Sequence, residues 1–471
     1  MKTIFLNIIF ILSCFITQAQ NKLTLQQAIQ TGIANNLDVN QSNLLMQKAD
    51  INLKQSRASV LPNLNATADH GINQGRSIDP FTNAFINQKV DYASYGAASR
   101  ILLFNGSSLQ NKIKGNALGY EASKWELQQA KDNLTINIIL AYLQVLSDED
   151  ILASSRNQGV VTGRQVERLD ILNQSGAIPP SQYFDLKGQL ANDQITIADN
   201  QAAVETAKLN LVQLLNMPYD KNIELERLPE QTFDTTYDAI PEKIYATALQ
   251  QFAQIKGVQL RTQSAKKTIR SIQGELYPSL SLSGNINTNY SSAATQSLLL
   301  NTIQIPSTDY VEINGAQVPV ITTQNNFNTK KITYGSQLNN NFFTSVNLGL
   351  SIPLFNANLV RSRIRLARID LKNNELVEQN TKNLLQQSIE RAYVNLTNTS
   401  DKYKILLDQS NSFTESFRAA EIRFNSGAIT SVDYLIAKNN LDKTNINIII
   451  ARYDFLLRAK ILDYYQGKAL W

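Results

Sequence analysis

The stretch Ser175-Gly176-Ala177-Ile178 returns later in the chain as Ser426-Gly427-Ala428-Ile429, at a shift of 427 − 176 = 251. The same shift carries Phe104-Asn105 onto Phe355-Asn356 and Ala141-Tyr142 onto Ala392-Tyr393. It also carries Tyr183, Leu190, Ile197, Val204 and Leu211 onto Tyr434, Leu441, Ile448, Phe455 and Leu462, ten apolar or aromatic positions spaced by sevens. A heptad spacing of this kind belongs to long helices packed side by side, and its duplication predicts one architecture built twice.

Working outward from the repeat, residues 107–175 contain no proline, and Leu127, Ala130, Leu134, Ile138, Ala141 and Val145 hold one helical face. Gly176 then ends the helix and Pro179-Pro180 forbid its continuation, so the heptad segment returns as a second helix to about residue 215. At 1.5 Å per residue the descending helix would span roughly 100 Å, suited to an extended coiled-coil tube. Gly115, Gly119, Gly159 and Gly163 mark places where it could bend or break. The second hairpin is predicted over about 358–465, turning at Ser426-Gly427.

Before each hairpin the period changes. Residues 25–60 read as one helix, stopped by Pro62. Leu64, Ala66 and Ala68 then alternate with Asn63, Asn65, Thr67 and Asp69, and a second strand-like segment runs over about 95–104. In the second copy a helix from about Lys243 breaks at Tyr277-Pro278. Strands of about 279–289 and 342–355 follow, the latter with Val346, Leu348, Leu350, Ile352 and Leu354 alternating with polar residues and glycine. Segments 73–91, with Asp79-Pro80, and 291–340 read as loops. The proline-to-proline shift is 278 − 62 = 216, so the second excursion between strands is longer by 251 − 216 = 35 residues. The expected organisation is a signal peptide over 1–19, a first repeat over 20–217, a polar linker over 218–241 and a second repeat over 242–471.

The strand faces point to a membrane. One face is apolar and the other carries Asn, Ser, Thr and Gly with almost no charge, as in a wall with lipid outside and water inside. Four strands cannot close a barrel, and an open edge is not tolerated in hydrocarbon, so several copies must complete one wall. The helices leave from the other ends of the strands and would continue the wall as a pipe.

The order helix, Leu-Pro break, two strands, Leu-Phe-Asn start, long helix, Ser-Gly turn and heptad return, all duplicated, resembles the TolC family of outer-membrane efflux proteins. The most specific pieces are Pro353-Leu354-Phe355-Asn356 and Arg423-Phe424-Asn425-Ser426-Gly427 followed by Asp433-Tyr434-Leu435. The resemblance implies a mainly α chain with a small transmembrane β part. It implies a homotrimer that forms a twelve-stranded β-barrel continued by an α-helical periplasmic tunnel. It also implies a passive exit channel in the outer membrane of a Gram-negative cell, docked to a periplasmic adaptor (membrane fusion) protein. Through the adaptor the channel would reach an inner-membrane pump of the resistance-nodulation-division or ATP-driven type. Such proteins close the periplasmic mouth at the hairpin turns. The family's glycine corresponds to Gly176 and Gly427, and its aspartate six residues on corresponds to Asp433 in the second copy but Gln182 in the first. A further aspartate is replaced by Ile436, and the basic residue after the glycine by Ala428 or Ile429. Asp433 and Gln182 are therefore the gate candidates, with Asp433 read alternatively as a plain helix cap. Gly176, Ala177, Gly427 and Ala428 are the candidate tip contacts for the adaptor.

The remaining sequence narrows the reading further. Lys2, an apolar run over 4–16 and Thr17-Gln18-Ala19 read as an export signal cleaved after Ala19, in preference to lipidation at Cys14, the only cysteine. No later run is long enough for a transmembrane helix. Charged residues are 18% and the net charge of +5 reads as spread along the chain. The basic run Arg361, Arg363, Arg365, Arg368 reads as a solvated or phosphate-facing helix start, and no nucleic-acid partner is expected. Asn105 and Asn356 read as helix caps, Asp148-Glu149-Asp150 as a solvated face, and Tyr142 and Tyr393 as packing residues. His70 is the only histidine, no phosphate loop follows a strand, and no enzymatic activity or cofactor is expected. The competing class is a periplasmic coiled-coil structural protein without a conducting lumen.

Overall fold

The computed structural model describes residues 22–78, 83–229 and 240–468. The signal-peptide segment 1–19, Cys14, Asp79-Pro80 and much of the linker lie outside the described residues. The first half runs α1 (Leu25–Asn35), α2 (Leu37–Ala58), β1 (Asn63–Asn73), β2 (Arg76–Ile78), β3 (Phe85–Asn87), β4 (Val90–Asn105), α3 (Ser108–Gln174) and α4 (Pro180–Leu214). The second runs α5 (Pro241–Gln251), α6 (Ala253–Gly274), β5 (Ser279–Ser291), β6 (Thr295–Ile313), β7 (Ala316–Lys331), α7 (Tyr334–Asn340), β8 (Phe343–Ser351), α8 (Leu359–Asn425) and α9 (Ser431–Tyr465). Both long helices have 67 residues and both return helices have 35, each pair offset by 251. The duplicated plan of the fold is thus kept without a gap in the hairpins.

The chain divides into two compact units: one holds residues through Ile51, Asn116–Ala265 and everything from Asp370; the other holds Asn52–Gly115 and Lys266–Ile369. In the second unit β1, β4, β5 and β8 form one antiparallel sheet in the order β1-β4-β5-β8. The register keeps one face continuous: Leu64 lies opposite Ser99, Ser99 opposite Gly284, and Gly284 opposite Val346, with Leu282 beside Leu348 and Leu280 beside Leu350. The other face gathers Asn65, Ala98, Asn285 and Ser345 in one row. Leu64, Val346, Leu348 and Leu350 are 76%, 78%, 65% and 63% exposed, far too much apolar surface to leave in water. Among the described residues no helix is long and apolar enough to cross a membrane.

The helical unit is held by side chains at the predicted spacing. Val204, Leu211, Tyr434, Phe455 and Leu462 of the two heptads are buried, each side chain stabilising the packing by about 1.5–3 kcal/mol. One cluster centres on Tyr142 with Ala28, Ile138, Leu146, Leu211 and Tyr453, and another on Ile389 with Ile244, Ile255, Phe455 and Leu462. The Tyr142 hydroxyl lies 2.8 Å from both the Leu23 and Glu226 carbonyl oxygens, so this packing residue also ties down the strand-like bridge between Leu23 and Leu225.

Four expectations change. Residues 25–60 are two helices, because the Asn36 side chain accepts from the N–H groups of Asp38 (2.9 Å) and Val39 (3.2 Å) and so starts a new helix. The long helix α3 is unbroken at its glycines; a Cβ at Gly159 would lie 3.0 Å from Ile197, so close packing accounts for that residue. The segment 291–340 is a β6–β7 ribbon and α7, and 73–91 contains the β2–β3 hairpin. Finally, Glu149 and Asp150 are not a solvated face: Asp150 accepts from Arg452 (2.6 Å), the Tyr453 hydroxyl (2.7 Å) and Arg227, while Glu149 pairs with Lys208 at 3.2 Å. Burial pushes the neighbouring Asp148 carboxyl above the usual range, against the opposing hydrogen bond from Gln144.

Candidate functional site

The turns of the two helical hairpins carry every residue singled out for a gate or a docking contact. In the first, Gly176 has φ +71°, and the N–H of Ala177 returns to the Leu172 carbonyl at 2.9 Å. In the second, Gly427 has φ +75°, and Ala428 N–H returns to Arg423 O at 2.8 Å. These are helix ends closed through a left-handed residue, and a Cβ at either glycine would meet nothing within 4 Å. Glycine is needed there for the backbone alone. Gly176, Ala177, Gly427 and Ala428 are all exposed.

The two turns differ in how the return helix begins. Thr430 caps α9: its hydroxyl oxygen accepts from Asp433 N–H at 3.2 Å, and the Asp433 carboxylate accepts from the Thr430 hydroxyl at 2.7 Å and from Thr430 N–H at 3.3 Å. This reciprocal capping box satisfies two orphan donors. The Thr430 hydroxyl, then its N–H and the charge of Arg423, hold the Asp433 carboxyl below the usual range. Its contribution to capping is therefore present above the ordinary carboxylate value and lost as pH falls through the lowered one. The α4 turn has Pro179 as its cap and Pro180 in its first turn, and Gln182 N–H donates to Pro179 O at 3.1 Å.

Behind the turns, the first and second hairpins lock together. Phe424 stacks on Tyr434 with ring centroids 4.7 Å apart, among Leu169 and Leu186 of the first hairpin. Arg168 donates to the Asn425 carbonyl at 2.8 Å and to its side-chain oxygen, and the Ser431 hydroxyl donates to Asp185 at 2.7 Å. Further along, Lys438 is 2% exposed and sits between Asp193 (3.3 Å) and Asp442 (2.6 Å). Asp193 also accepts from Thr162 and, at 2.7 Å, from Gln189. Burial pushes the Asp442 carboxyl up, against the lowering effect of Lys438. Sequence reasoning passed over this cluster, although Lys438 falls between Tyr434 and Leu441 at a core position of the three-four pattern.

Among the described residues no group of three or more His, Cys, Asp or Glu could hold a metal ion. His70 lies on β1, opposite Ala93.

A sheet with an exposed apolar face and, in the same chain, duplicated long helical hairpins together point to the class of outer-membrane tunnel channels. The outer membrane efflux protein family matches residues 28–217 and 244–463, and the chain belongs to that family. It is an outer-membrane exit channel, and the reading as a coiled-coil structural protein without a lumen is not favoured. Similar solved structures include CusC, described for transmembrane channel formation, at 15% identity over 94% of this chain and 92% of that one, with a TM-score of 0.76. VceC from Vibrio cholerae, an outer membrane protein, is 13% identical over 95% and 97% of the two chains, with a TM-score of 0.75. The open state of the MtrE outer membrane channel of Neisseria gonorrhoeae gives 15% identity, 95% and 89% coverage and a TM-score of 0.70. At these identities the likeness is one of fold. No curated protein matches.

Proposed function

We propose that three copies of this chain join edge to edge, β8 of one against β1 of the next, into a twelve-stranded barrel that passes solutes out of the cell. The supporting observation is the sheet itself. Its outer strands β1 and β8 each have one neighbour, while Leu64, Ile286, Val346, Leu348 and Leu350 stand exposed on its apolar face. Unpaired N–H and C=O groups along both edges would each cost several kcal/mol in hydrocarbon. The partners are further copies, a periplasmic adaptor touching Gly176, Ala177, Gly427 and Ala428, and an inner-membrane pump of the resistance-nodulation-division or ATP-driven type. The chain supplies a passive duct and the pump supplies the energy. The protein extracted in detergent is expected to run at three times the chain mass and to conduct in planar bilayers. A monodisperse monomer without conductance would refute the reading.

At the narrow end three copies of Asp433 form an acidic ring, with Gln182 at the matching place in the first hairpin. Asp433→Ala is expected to lower the preference for cations over anions in single-channel recordings. Because it also removes one half of a capping box, it should loosen the first turn of α9. Asp433→Asn separates the roles, since it removes the charge and keeps a side chain able to accept from Thr430. Unchanged selectivity in both variants would leave Asp433 as a cap alone.

A further inference from the structure

The net charge of +5 is not spread along the chain, as the sequence first suggests. Residues 52–62, 106–115, 266–278 and 352–369 contain eleven Lys and Arg and a single acid, Glu275. Everything else holds 44 − 11 = 33 basic against 39 − 1 = 38 acidic residues, so these short segments outweigh a negative remainder. They are also together in space. They are the end of α2 before β1, the start of α3 after β4, the end of α6 before β5, and the start of α8 after β8. All four meet the sheet at the same end, because β1, β4, β5 and β8 alternate in direction.

The belt faces outward from the protein's own core. Arg57, Lys112, Arg270, Arg361, Arg365 and Arg368 are exposed, and Glu275 is already paired with Arg363 at 2.5 Å. On α8, Arg361, Arg365 and Arg368 share one face, next to the buried stripe of Val360, Ile364 and Ala367. The helices carry this charge against their own stability. Like charges four residues apart repel, and neither α3 nor α8 has an acid in its first turn to balance the positive end of the helix dipole. The exposed arginines of α8 can therefore gain from an anion supplied from outside the chain.

We propose that this belt binds the phosphate groups of anionic phospholipids in the periplasmic leaflet of the outer membrane, and so fixes the depth at which the barrel sits. The proposal rests on the barrel reading above. Where strands give way to helices, the hydrocarbon ends and a headgroup layer of about 5–7 Å begins. Lysine and arginine stems can lie along the apolar boundary while their charged ends reach the phosphates, each adding about fivefold to affinity for an anionic surface.

The test uses the intact trimer in neutral detergent, titrated with phosphatidylglycerol or phosphatidylcholine and followed by native mass spectrometry. The wild type is expected to prefer phosphatidylglycerol and to lose that preference as salt rises from about 0.05 to 0.5 M. Arg361→Gln/Arg365→Gln/Arg368→Gln is expected to bind it about tenfold or more weakly, with ion selectivity in bilayers unchanged. Arg361→Lys/Arg365→Lys/Arg368→Lys is expected to keep the preference. Salt-insensitive or equal binding of the two lipids by the wild type would overturn the proposal. So would unaltered lipid binding by the glutamine variant with a shifted reversal potential, which would place these arginines on the lumen. A trimer indifferent to lipid charge defeats this proposal alone, whereas a monomer defeats the barrel reading beneath it.

Discussion

Lys438→Met is expected to destabilise the helical hairpins by about 3–5 kcal/mol, seen as a lowered midpoint for loss of helical circular dichroism. The cost does not measure the strength of the ion pair. It arises because Asp193 and Asp442, whose side chains are 10% and 19% exposed, would be left facing each other without a cation. Their repulsion should raise one carboxyl well above the ordinary value, so the protonated form becomes the favoured one in the folded variant. A carboxyl raised on folding is relieved at low pH. The deficit should therefore shrink as pH falls from about 6 to 4 and be largest at neutrality. The shift of 251 carries Lys438 onto Lys187, which is exposed and lies over the ring of Tyr183 at 5.5 Å. Lys187→Met is expected to change stability by less than about 0.5 kcal/mol. Equal effects of the two substitutions would show that burial at Lys438 is not what matters.

Gly274→Ala is expected to cost about 2–3 kcal/mol and to lower the yield of trimer resistant to heat in detergent. A Cβ at Gly274 would lie 2.7 Å from the Gly106 carbonyl oxygen, 2.7 Å from Ser108 N and 2.8 Å from Ser108 Cα. All three are backbone atoms, so no side-chain rotation relieves the clash. The pinch lies where the end of α6 meets the start of α3, and the Ser271 hydroxyl donates to the Ser108 carbonyl beside it at 2.8 Å. Forcing these helices apart disturbs β4 and β5, the central pair of the sheet, directly above. Gly176→Ala is the informative comparison. It has the strain of a positive φ without any clash, about 1–2 kcal/mol confined to a hairpin turn. Trimer yield should survive Gly176→Ala and fall with Gly274→Ala; the reverse order would mean the junction is loose.

The sequence made the duplicated hairpins legible because their signals are local and repeated. Heptads, a glycine that stops a helix and a proline that starts the next are all read within a few residues. The ribbon of β6 and β7 was hidden by composition. Its Asn, Thr and Ser residues look like a loop, yet Asn314-Gly315 lies between strand-like segments, and both have positive φ, as a tight hairpin turn requires. Asn36 escaped notice because one polar residue in a helical pattern signals nothing until its side chain is seen to cap. The Lys438 cluster needed tertiary structure, since its partners Asp193 and Thr162 lie on other helices. The asymmetry between the two hairpin turns was visible in Gln182 against Asp433. What sequence left open was which role Asp433 plays, and the capping box supplies part of the answer.

The inequality between 216 and 251 has a practical side. The extra residues went into a ribbon that turns at Asn314-Gly315, while the two hairpins kept identical lengths. An inserted peptide that would throw α3 or α9 out of step is expected to be tolerated at this tip and, in the proposed barrel, to face the medium on living cells. An antibody or fluorescent label would then count the channels from outside without opening the envelope.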